Sequence, residues 1–315
     1  MHKIWRRRRP RRVALVLGSG AARGWAHIGV IEELQAAGLQ IDMVAGTSIG
    51  ALVGAVFAAG RLPELREMAS RLDWRQMIYY FLDITFPRSG LIDGHKVEEF
   101  VRSHVKFARI ENLAVPFRAV ATDLLTGCEH VFEKGGVVEA VRASIAIPGM
   151  FTPVQTAGKI LVDGGLVNPV PVSVARAMGA DYVVAVDVNR FGDDPEALLP
   201  VHPGGVPPDL SAAPREMRDQ VALILNQVKA RLAAADNPLG RTVRRWLKAA
   251  ATPGIFDVLG DSIRIMETQI ADARLKADPP DLLIRPRLGG VSFMDFHRAE
   301  AIMAAGRAAA RAALA

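Results

Sequence analysis

A serine between two glycines has the local sequence of a nucleophile. Ser48 is the centre of "GTSIG", with Gly46 two residues before it and Gly50 two residues after it. Glycines at these positions relieve crowding in a strained turn from strand to helix, which presents the hydroxyl above the sheet. The short pattern also arises by chance, and a serine at this point can be a simple helix N-cap. The motif alone leaves both interpretations open.

A glycine-rich loop earlier in the chain could stabilise negative charge. The loop "GSGAARG", Gly18 to Gly24, lies between a predicted strand and a predicted helix. The amides of Gly20, Ala21, Ala22 and Arg23 could donate to a carbonyl oxygen on which charge develops. A dinucleotide site requires G-x-G-x-x-G, and the last two glycines here are one residue too far apart. An oxyanion-binding loop is the better interpretation.

A third loop offers a base for the serine. Asp163 ends a predicted strand and is followed by Gly164 and Gly165, which leave space around the carboxyl. Alone, this pattern is typical of an ordinary Asp-Gly turn. Histidine is the usual base, and His297 would complete the Ser-Asp-His order of α/β-hydrolases. Because no loop signature surrounds His297, the sequence favours Asp163 over a triad.

The elements around these loops predict an α/β domain. Val13 to Leu17 is an aliphatic run that stops at glycine, as buried parallel strands do. A helix from about Trp25 to Ala37, a strand from Ile41 to Ala45 and a helix to Gly60 follow. This β-α-β-α order favours a parallel sheet with right-handed crossovers. Later strands are predicted near 117–122, 129–132, 160–162, 181–188 and 281–286, and helices near 137–143, 171–178 and 296–315.

The positive charge of the chain is concentrated at one end. The 315 residues carry a net charge of +6. Residues 1–12 contain seven Lys and Arg and no acid, so the other 303 residues, with 32 basic and 33 acidic side chains, have a net charge of −1. A basic arm can bind anionic lipid or nucleic acid, or can be a solvated, disordered end. The near-neutral body leads us to expect no nucleic-acid partner.

Cysteine content and hydropathy bear on the compartment. Cys128 is the only cysteine, which excludes an internal disulfide and a thiolate metal cluster. No run reaches the roughly 18 apolar residues of a membrane-spanning helix. Arginines before "VALVLGSGAARGWA" imitate a secretory signal, but the apolar part is short and cleavage near Ala26 would remove the glycine-rich loop. We expect a cytoplasmic protein, with peripheral contact at the inner membrane face as an alternative.

The three loops together resemble those of the patatin-like phospholipases. The matching stretches are "LGSGAARGWAHIGVIEEL" (17–34), "DMVAGTSIGALVGAVFAAG" (42–60), "SGLIDG" (89–94), "VRASIAIPGMFTPV" (141–154) and "LVDGGLVNPVPVSVARAMGAD" (161–181). The segment from "DLLIRP" through "FHRAEAIMAAG" is also similar. The resemblance covers most of residues 13–190 and 262–306.

This resemblance implies a serine acyl hydrolase of lipid acyl esters, including phospholipids and lysophospholipids. It makes Ser48 the nucleophile and Asp163 its base, without a catalytic histidine. The loop from Gly18 to Gly24 becomes the oxyanion hole, with Arg23 helping to fix it. The implied fold is a three-layer α/β/α sandwich with a mainly parallel central sheet, and the chemistry requires no metal or cofactor. Many members have a run of glycines in this loop, so which amides face the oxyanion stays open.

The domain organisation expected is a basic arm, residues 1–12, followed by one patatin-like domain, 13–315. A Pro/Gly-rich loop and a helical insertion at about 191–261 match nothing in the resemblance. Within it, residues 241–259 combine basic and aromatic side chains as interfacial helices do, or form a helix packed on the domain. Peripheral contact with an anionic membrane through 1–12 and 241–259 is therefore one alternative, and a solvated arm with a helix packed on the domain is the other.

Two other functions are compatible with the same three loops. A non-catalytic lipid-binding or regulatory protein could retain these loops, and an acyltransferase could use the same serine with an acceptor other than water. The sequence does not specify the head group, the acyl chain length or the oligomeric state.

Overall fold

A computed structural model describes residues 12–72, 98–99, 102–103, 109–190 and 255–315. The predicted basic arm, except for Arg12, and residues 191–254 of the predicted insertion lie outside the described residues. So does most of the stretch 241–259. The membrane contacts expected of these segments therefore stay predictions.

Strands and helices alternate through the first half of the described chain. The strands are β1 (Val13–Leu17), β2 (Met43–Thr47), β3 (Phe117–Asp123), β4 (Cys128–Phe132), β5 (Val154–Thr156), β6 (Lys159–Asp163), β7 (Tyr182–Val186) and β8 (Leu282–Ile284). The helices are α1 (Ala26–Ala36), α2 (Ile49–Ala58), α3 (Leu62–Arg71), α4 (Val137–Ser144), α5 (Val172–Ala177), α6 (Ile255–Ala277) and α7 (Ala299–Leu314). Short 3-10 turns follow β1 at Ala21–Trp25 and β6 at Gly164–Leu166.

The eight strands form one mixed sheet in the order β5-β6-β3-β2-β1-β7-β8, with β4 paired to β3. All pairs from β3 through β8 along this order are parallel. The strands β4, β5 and β6 pair antiparallel at the other end. The expected mainly parallel sheet is confirmed, with an antiparallel margin where hairpins replace helical crossovers.

Helices cover both faces of the sheet. Leu15 and Leu17 of β1 belong to a core shared with α1, α2, α3, α4 and α7. Ala14 and Val16, which point to the opposite face, belong to a second core shared with α5 and α6. Because both faces of β1 are buried, its sequence is an uninterrupted apolar run. This is the expected three-layer α/β/α arrangement.

Two strands end at neighbouring positions on β3. β2 runs parallel to β3 up to the pair Thr47 and Val120. β6 runs antiparallel to β3 and ends at the pair Asp163 and Ala121. The carboxyl ends of β2 and β6 therefore meet at consecutive β3 residues. Any side chain just after β2 is brought next to Asp163.

Two local expectations differ from the structure. The second strand begins at Met43 and not at Ile41. The Val13 amide donates to the side-chain carboxylate of Asp42 at 2.8 Å and not to a backbone carbonyl, so the regular pairing of β1 with β2 starts only after Asp42. Strand β5 was not expected, since its three residues pair only with β6 in a hairpin. Within the described residues, no helix combines the length and apolarity needed to cross a bilayer.

Candidate active site

Ser48 occupies a strained turn between β2 and α2. Its backbone has φ 57 and ψ −127, a positive φ that few residues other than glycine adopt. Gly50 makes the turn possible because a Cβ there would lie 2.1 Å from the Leu17 carbonyl oxygen. Such strain persists only where surrounding contacts fix it, and it is concentrated at functional sites.

The Ser48 hydroxyl donates to the carboxyl of Asp163. The distance from Oγ to Oδ2 is 2.6 Å, and both residues are buried. Ser48 does stand at the N-cap position of α2, but its side chain makes no capping hydrogen bond. The geometry thus favours a nucleophile and base pair over the N-cap interpretation.

Asp163 is held at both oxygens and through its backbone. Its Oδ1 accepts the Gly165 amide at 2.7 Å, and its carbonyl accepts the Thr122 hydroxyl at 2.8 Å. Burial raises the pKa of Asp163 to about 7, although hydrogen bonds from Ser48 and Gly165 oppose the shift. A carboxyl with a pKa near neutrality can take a proton from the serine and return it.

Ser144 supports the strained turn from a third element. The Ser48 amide donates to Ser144 Oγ at 2.8 Å, and this hydroxyl in turn donates to the Val120 carbonyl at 2.5 Å. The amide of a residue in such a turn cannot enter the α2 hydrogen-bond ladder, so Ser144 supplies its acceptor. Ser144 thereby ties the turn to β3.

Most amides of the glycine-rich loop are already bonded within the protein. Those of Gly18 and Ser19 donate to the carbonyls of Val186 and Pro169. Those of Ala22 and Arg23 donate to the carbonyls of Phe293 and Gly20 at 3.2 and 3.1 Å. These bonds fix the loop on β7 and on the segment before α7, and they occupy two of the four donors expected to face an oxyanion.

Three amides near the serine remain available. Those of Gly20, Ala21 and Ile49 donate no hydrogen bond to any described residue. All three residues are buried, where an amide without an acceptor is costly. Gly24 packs the loop against the turn, since a Cβ there would lie 2.2 Å from Ile49 Cγ2. The loop that carries the Gly20 and Ala21 amides is therefore fixed relative to Ile49, the residue that follows Ser48.

Arg23 holds the loop from inside the protein. Its guanidinium donates to Asn189 Oδ1 at 3.1 and 3.3 Å and to the Val291 carbonyl at 3.0 Å. Burial, and then the nearby Arg264, lower the pKa of Arg23 to about 9, so it is charged at neutral pH. In the described structure, Arg23 links the loop to Asn189, three residues after β7, and to Val291 in the chain before α7.

Glu267 of α6 is a second buried carboxyl beside the pair. It accepts a hydrogen bond from Asn189 Nδ2, and the same amide group reaches Ser19 Oγ at 3.2 Å. Burial and the neighbouring Asp163 raise the pKa of Glu267 to about 8, against opposing effects of Ser19 and Arg23. Two buried carboxyls that repel each other when both are ionised favour a state in which one of them keeps a proton.

The described histidines take no part in the pair. His27 is fully buried, its Nε2 lies 2.8 Å from the Gly18 carbonyl, and burial lowers its pKa to about 4. It is neutral and supports the glycine-rich loop. Among the residues that the structure describes, neither His130 nor His297 bonds to Ser48 or Asp163.

Comparison with known proteins identifies the family. The profile of the patatin-like phospholipases matches residues 15–176, about half of the chain. An uncharacterized NTE family protein of Mycobacterium tuberculosis is 37% identical, over 96% of this chain and 91% of that protein. The chain belongs to the patatin-like phospholipase family. This membership suggests lipid acyl hydrolase activity.

Two further comparisons are more distant or cover only part of one chain. Patatin-like phospholipase domain-containing protein 7 of Rattus norvegicus is 37% identical over 56% of this chain and 14% of its own length. Among solved structures, VipD from Legionella pneumophila gives a TM-score of 0.42 at 13% identity, over 97% of this chain and 66% of its own.

Three residues around the pair were not found by sequence reasoning. They are Ser144, Asn189 and Glu267. Ser144 bonds to the Ser48 amide from 96 positions away in the chain. Asn189 bonds to Ser19, 170 positions away, and to Glu267, 78 positions away. Ser144 lies in a stretch already noted for its patatin-like similarity, so that stretch was the one available signal. No glycine pattern marks the other two.

Proposed function

We propose that this patatin-like protein hydrolyses acyl esters of lipids, phospholipids or lysophospholipids, with Ser48 as nucleophile and Asp163 as base. The observation that carries the proposal is the 2.6 Å hydrogen bond from Ser48 Oγ to Asp163 Oδ2 in a strained, buried turn. Nucleophile and base within hydrogen-bond reach are the geometric requirement for covalent catalysis.

In the first half-reaction, Ser48 Oγ attacks the ester carbonyl as its proton passes to Asp163. The carbonyl oxygen becomes an oxyanion, and the available amides of Gly20, Ala21 and Ile49 are the donors that we assign to it. One such donor is worth about 3 kcal/mol in other acyl-transfer enzymes. Collapse of the intermediate breaks the ester bond, and Asp163 protonates the departing alcohol.

In the second half-reaction, water cleaves the acyl-enzyme. Asp163 takes a proton from the water as its oxygen bonds to the acyl carbon, and the same donors hold the second oxyanion. Breaking the bond to Ser48 Oγ releases the fatty acid and returns the proton to the serine. Asp163 therefore alternates between acceptor and donor, which suits a pKa raised to about 7.

The experiment is a hydrolysis screen with matched variants. The purified 315-residue protein is assayed on p-nitrophenyl esters of increasing chain length and on phosphatidylcholine, beside Ser48→Ala and Asp163→Asn. We expect both variants to lose activity by about a thousandfold or more while remaining folded. A fluorophosphonate should label the wild type and not Ser48→Ala.

Two results would reject the proposal. One is wild-type activity or labelling in Ser48→Ala, and the other is a folded wild type that reacts with neither ester nor probe. The second result would favour a non-catalytic lipid-binding protein. Ester exchange to an added alcohol in place of acid release would instead indicate an acyltransferase that uses the same serine.

A further inference from the structure

The hairpin that joins β3 to β4 extends beyond the candidate active site. β3 runs parallel to β2, and Val120 is the partner of Thr47, the residue before Ser48. β3 continues for three more residues to Asp123, which is about 10 Å at the rise of a strand. The turn at 124–127 therefore projects past the edge of the sheet at which Ser48 lies.

A second hairpin projects beside the first. β5 and β6 are joined by Ala157 and Gly158, both with positive φ, as two-residue hairpin turns require. The Leu124 amide donates to the Ile160 carbonyl at 2.8 Å, which fixes one hairpin to the other. We call residues 124–128 and 157–158 together the tip surface.

The tip surface carries no charge, and its two largest side chains are apolar. Leu124 is 54% exposed and Leu125 is 66% exposed, and they are adjacent. The other members, Thr126, Gly127, Cys128, Ala157 and Gly158, are exposed and carry no charge. Single exposed leucines are ordinary, but a contiguous apolar projection marks an interaction surface.

The charged residues next to the tip surface in sequence are Asp123, Glu129 and Lys159, and each has an internal partner. Glu129 is half-buried, and its Oε2 accepts a hydrogen bond from Asn168 Nδ2. Asp123 is buried, and its Oδ1 accepts the Leu125 amide at 3.1 Å. Lys159 is half-buried and lies 3.0 Å from His130 Nδ1. No carboxylate of these hairpin turns is therefore exposed to repel the phosphate groups of a lipid surface.

We propose that the tip surface inserts into the surface of a lipid aggregate and so presents the Ser48 site to its substrate. The proposal rests on the proposed function, because a lipid acyl ester is held at such a surface. It names the docking surface and commits to a lipid surface as its occupant. Leucine side chains on a projecting turn can leave water without any charge entering the apolar layer.

This mode of binding differs from the one predicted for the basic segments. Residues 1–12 and 241–259 would attract anionic lipid, and salt screens such attraction. Insertion of two leucines requires no anionic lipid and persists when charges are screened. Neutral phosphatidylcholine vesicles in about 0.5 M NaCl, where the Debye length is roughly 4 Å, isolate the tip surface.

Cys128 allows a direct measurement. It is the only cysteine of the chain, is exposed, and ends the tip surface. An NBD fluorophore attached to it in Ser48→Ala protein should become brighter and shift to the blue when these vesicles are added. The control places the label on Ala37→Cys in Cys128→Ser protein, because Ala37 is exposed and precedes β2 at the opposite edge of the sheet.

A double variant tests the leucines. Leu124→Ser with Leu125→Ser should weaken vesicle binding by about tenfold or more and slow hydrolysis of vesicle phosphatidylcholine to match. Hydrolysis of a soluble short-chain ester should stay within about twofold of wild type. The control, Ile265→Ser with Met266→Ser, removes two exposed apolar side chains of α6 and should leave both measurements unchanged.

The outcomes separate this proposal from the proposed function. An unresponsive Cys128 label, or full vesicle binding by the leucine variant, overturns the tip surface and leaves the soluble-ester assay untouched. Loss of soluble-ester hydrolysis in the leucine variant, with its fold intact, also overturns it. Wild-type ester hydrolysis by Ser48→Ala rejects the proposed catalysis, whatever the label shows.

Discussion

Asp163 and Glu267 each bring a carboxylate oxygen to the same side of Gly165. A Cβ at this glycine would fall 3.1 Å from Asp163 Oδ1 and 1.9 Å from Glu267 Oε1. The first carboxyl comes from the end of β6 and the second from α6, and both are buried. Burial and the neighbouring Asp163 raise the pKa of Glu267 to about 8, so the proposed base has a protonated carboxyl beside it at neutral pH.

The raised pKa of Asp163 predicts the pH dependence of hydrolysis. A base must be ionised to accept the Ser48 proton, and burial raises the pKa of Asp163 to about 7. We expect kcat/KM for a soluble ester to fall about tenfold per pH unit below about 7 and to level off above it. A rate that stays constant down to about pH 5, in protein whose circular dichroism is unchanged, would contradict this assignment.

Glu267→Gln tests whether the second carboxyl is neutral in the folded protein. The pKa of Glu267 rises from 4.5 to about 8 on folding, so between these values the folded state binds more protons than the unfolded chain. Wild-type stability should therefore fall as pH rises through this window, and glutamine removes that loss. The excess Tm of Glu267→Gln over wild type should grow from about pH 4.5 to 8. Parallel Tm curves would show that Glu267 is ionised throughout.

The contact across Gly165 is open to a double-mutant cycle. Gly165→Ala should lower the free energy of unfolding by about 1–3 kcal/mol, because its methyl group collides with Glu267. Adding Glu267→Ala removes the obstacle, so the double variant should be more stable than the sum of the single effects predicts. Gly136→Ala is the control, since its nearest neighbour would be 3.8 Å away. Additive losses would mean that the two positions do not interact.

The sheet and its order of elements could be predicted because they depend on local patterns. The run Val13–Leu17 is apolar because both faces of β1 are covered, and glycines mark the ends of β1, α1 and α2. The glycines next to Ser48 and Asp163 likewise led to the prediction of these two residues as nucleophile and base. Such signals report what the backbone does within a few residues.

Partners from distant parts of the chain could not be predicted in this way. Asn189 joins Arg23, Ser19 and Glu267, but its residue type and its neighbours in sequence are ordinary. Glu267 lies within a long helix where a charged residue is expected to face solvent. The Ala22 amide was one of the four expected to face an oxyanion. Nothing near it in the sequence indicated that it donates to the carbonyl of Phe293, about 270 residues away.

Arg23→Lys tests the anchor of the glycine-rich loop. The guanidinium makes three buried hydrogen bonds to Asn189 and Val291, and an ammonium group cannot reproduce that fork. We expect kcat to fall about tenfold to a hundredfold, because the Gly20 and Ala21 amides lose their fixed position. Arg298→Lys, an exposed arginine that also bonds to a carbonyl, should change kcat by less than about twofold. Wild-type kcat in Arg23→Lys would contradict the anchoring role.

Ser144→Ala tests the support of the strained turn at Ser48. It leaves the buried Ser48 amide without its acceptor and the Val120 carbonyl without its donor, at a cost of about 1–3 kcal/mol in the free energy of unfolding. Because a looser turn presents the hydroxyl less often in the reactive geometry, fluorophosphonate labelling and kcat should each fall about tenfold, with KM little changed. Ser70→Ala, at an exposed serine of α3, controls for loss of a hydroxyl. Slower labelling with unchanged stability would mean that Ser144 acts on the nucleophile itself and not through the turn.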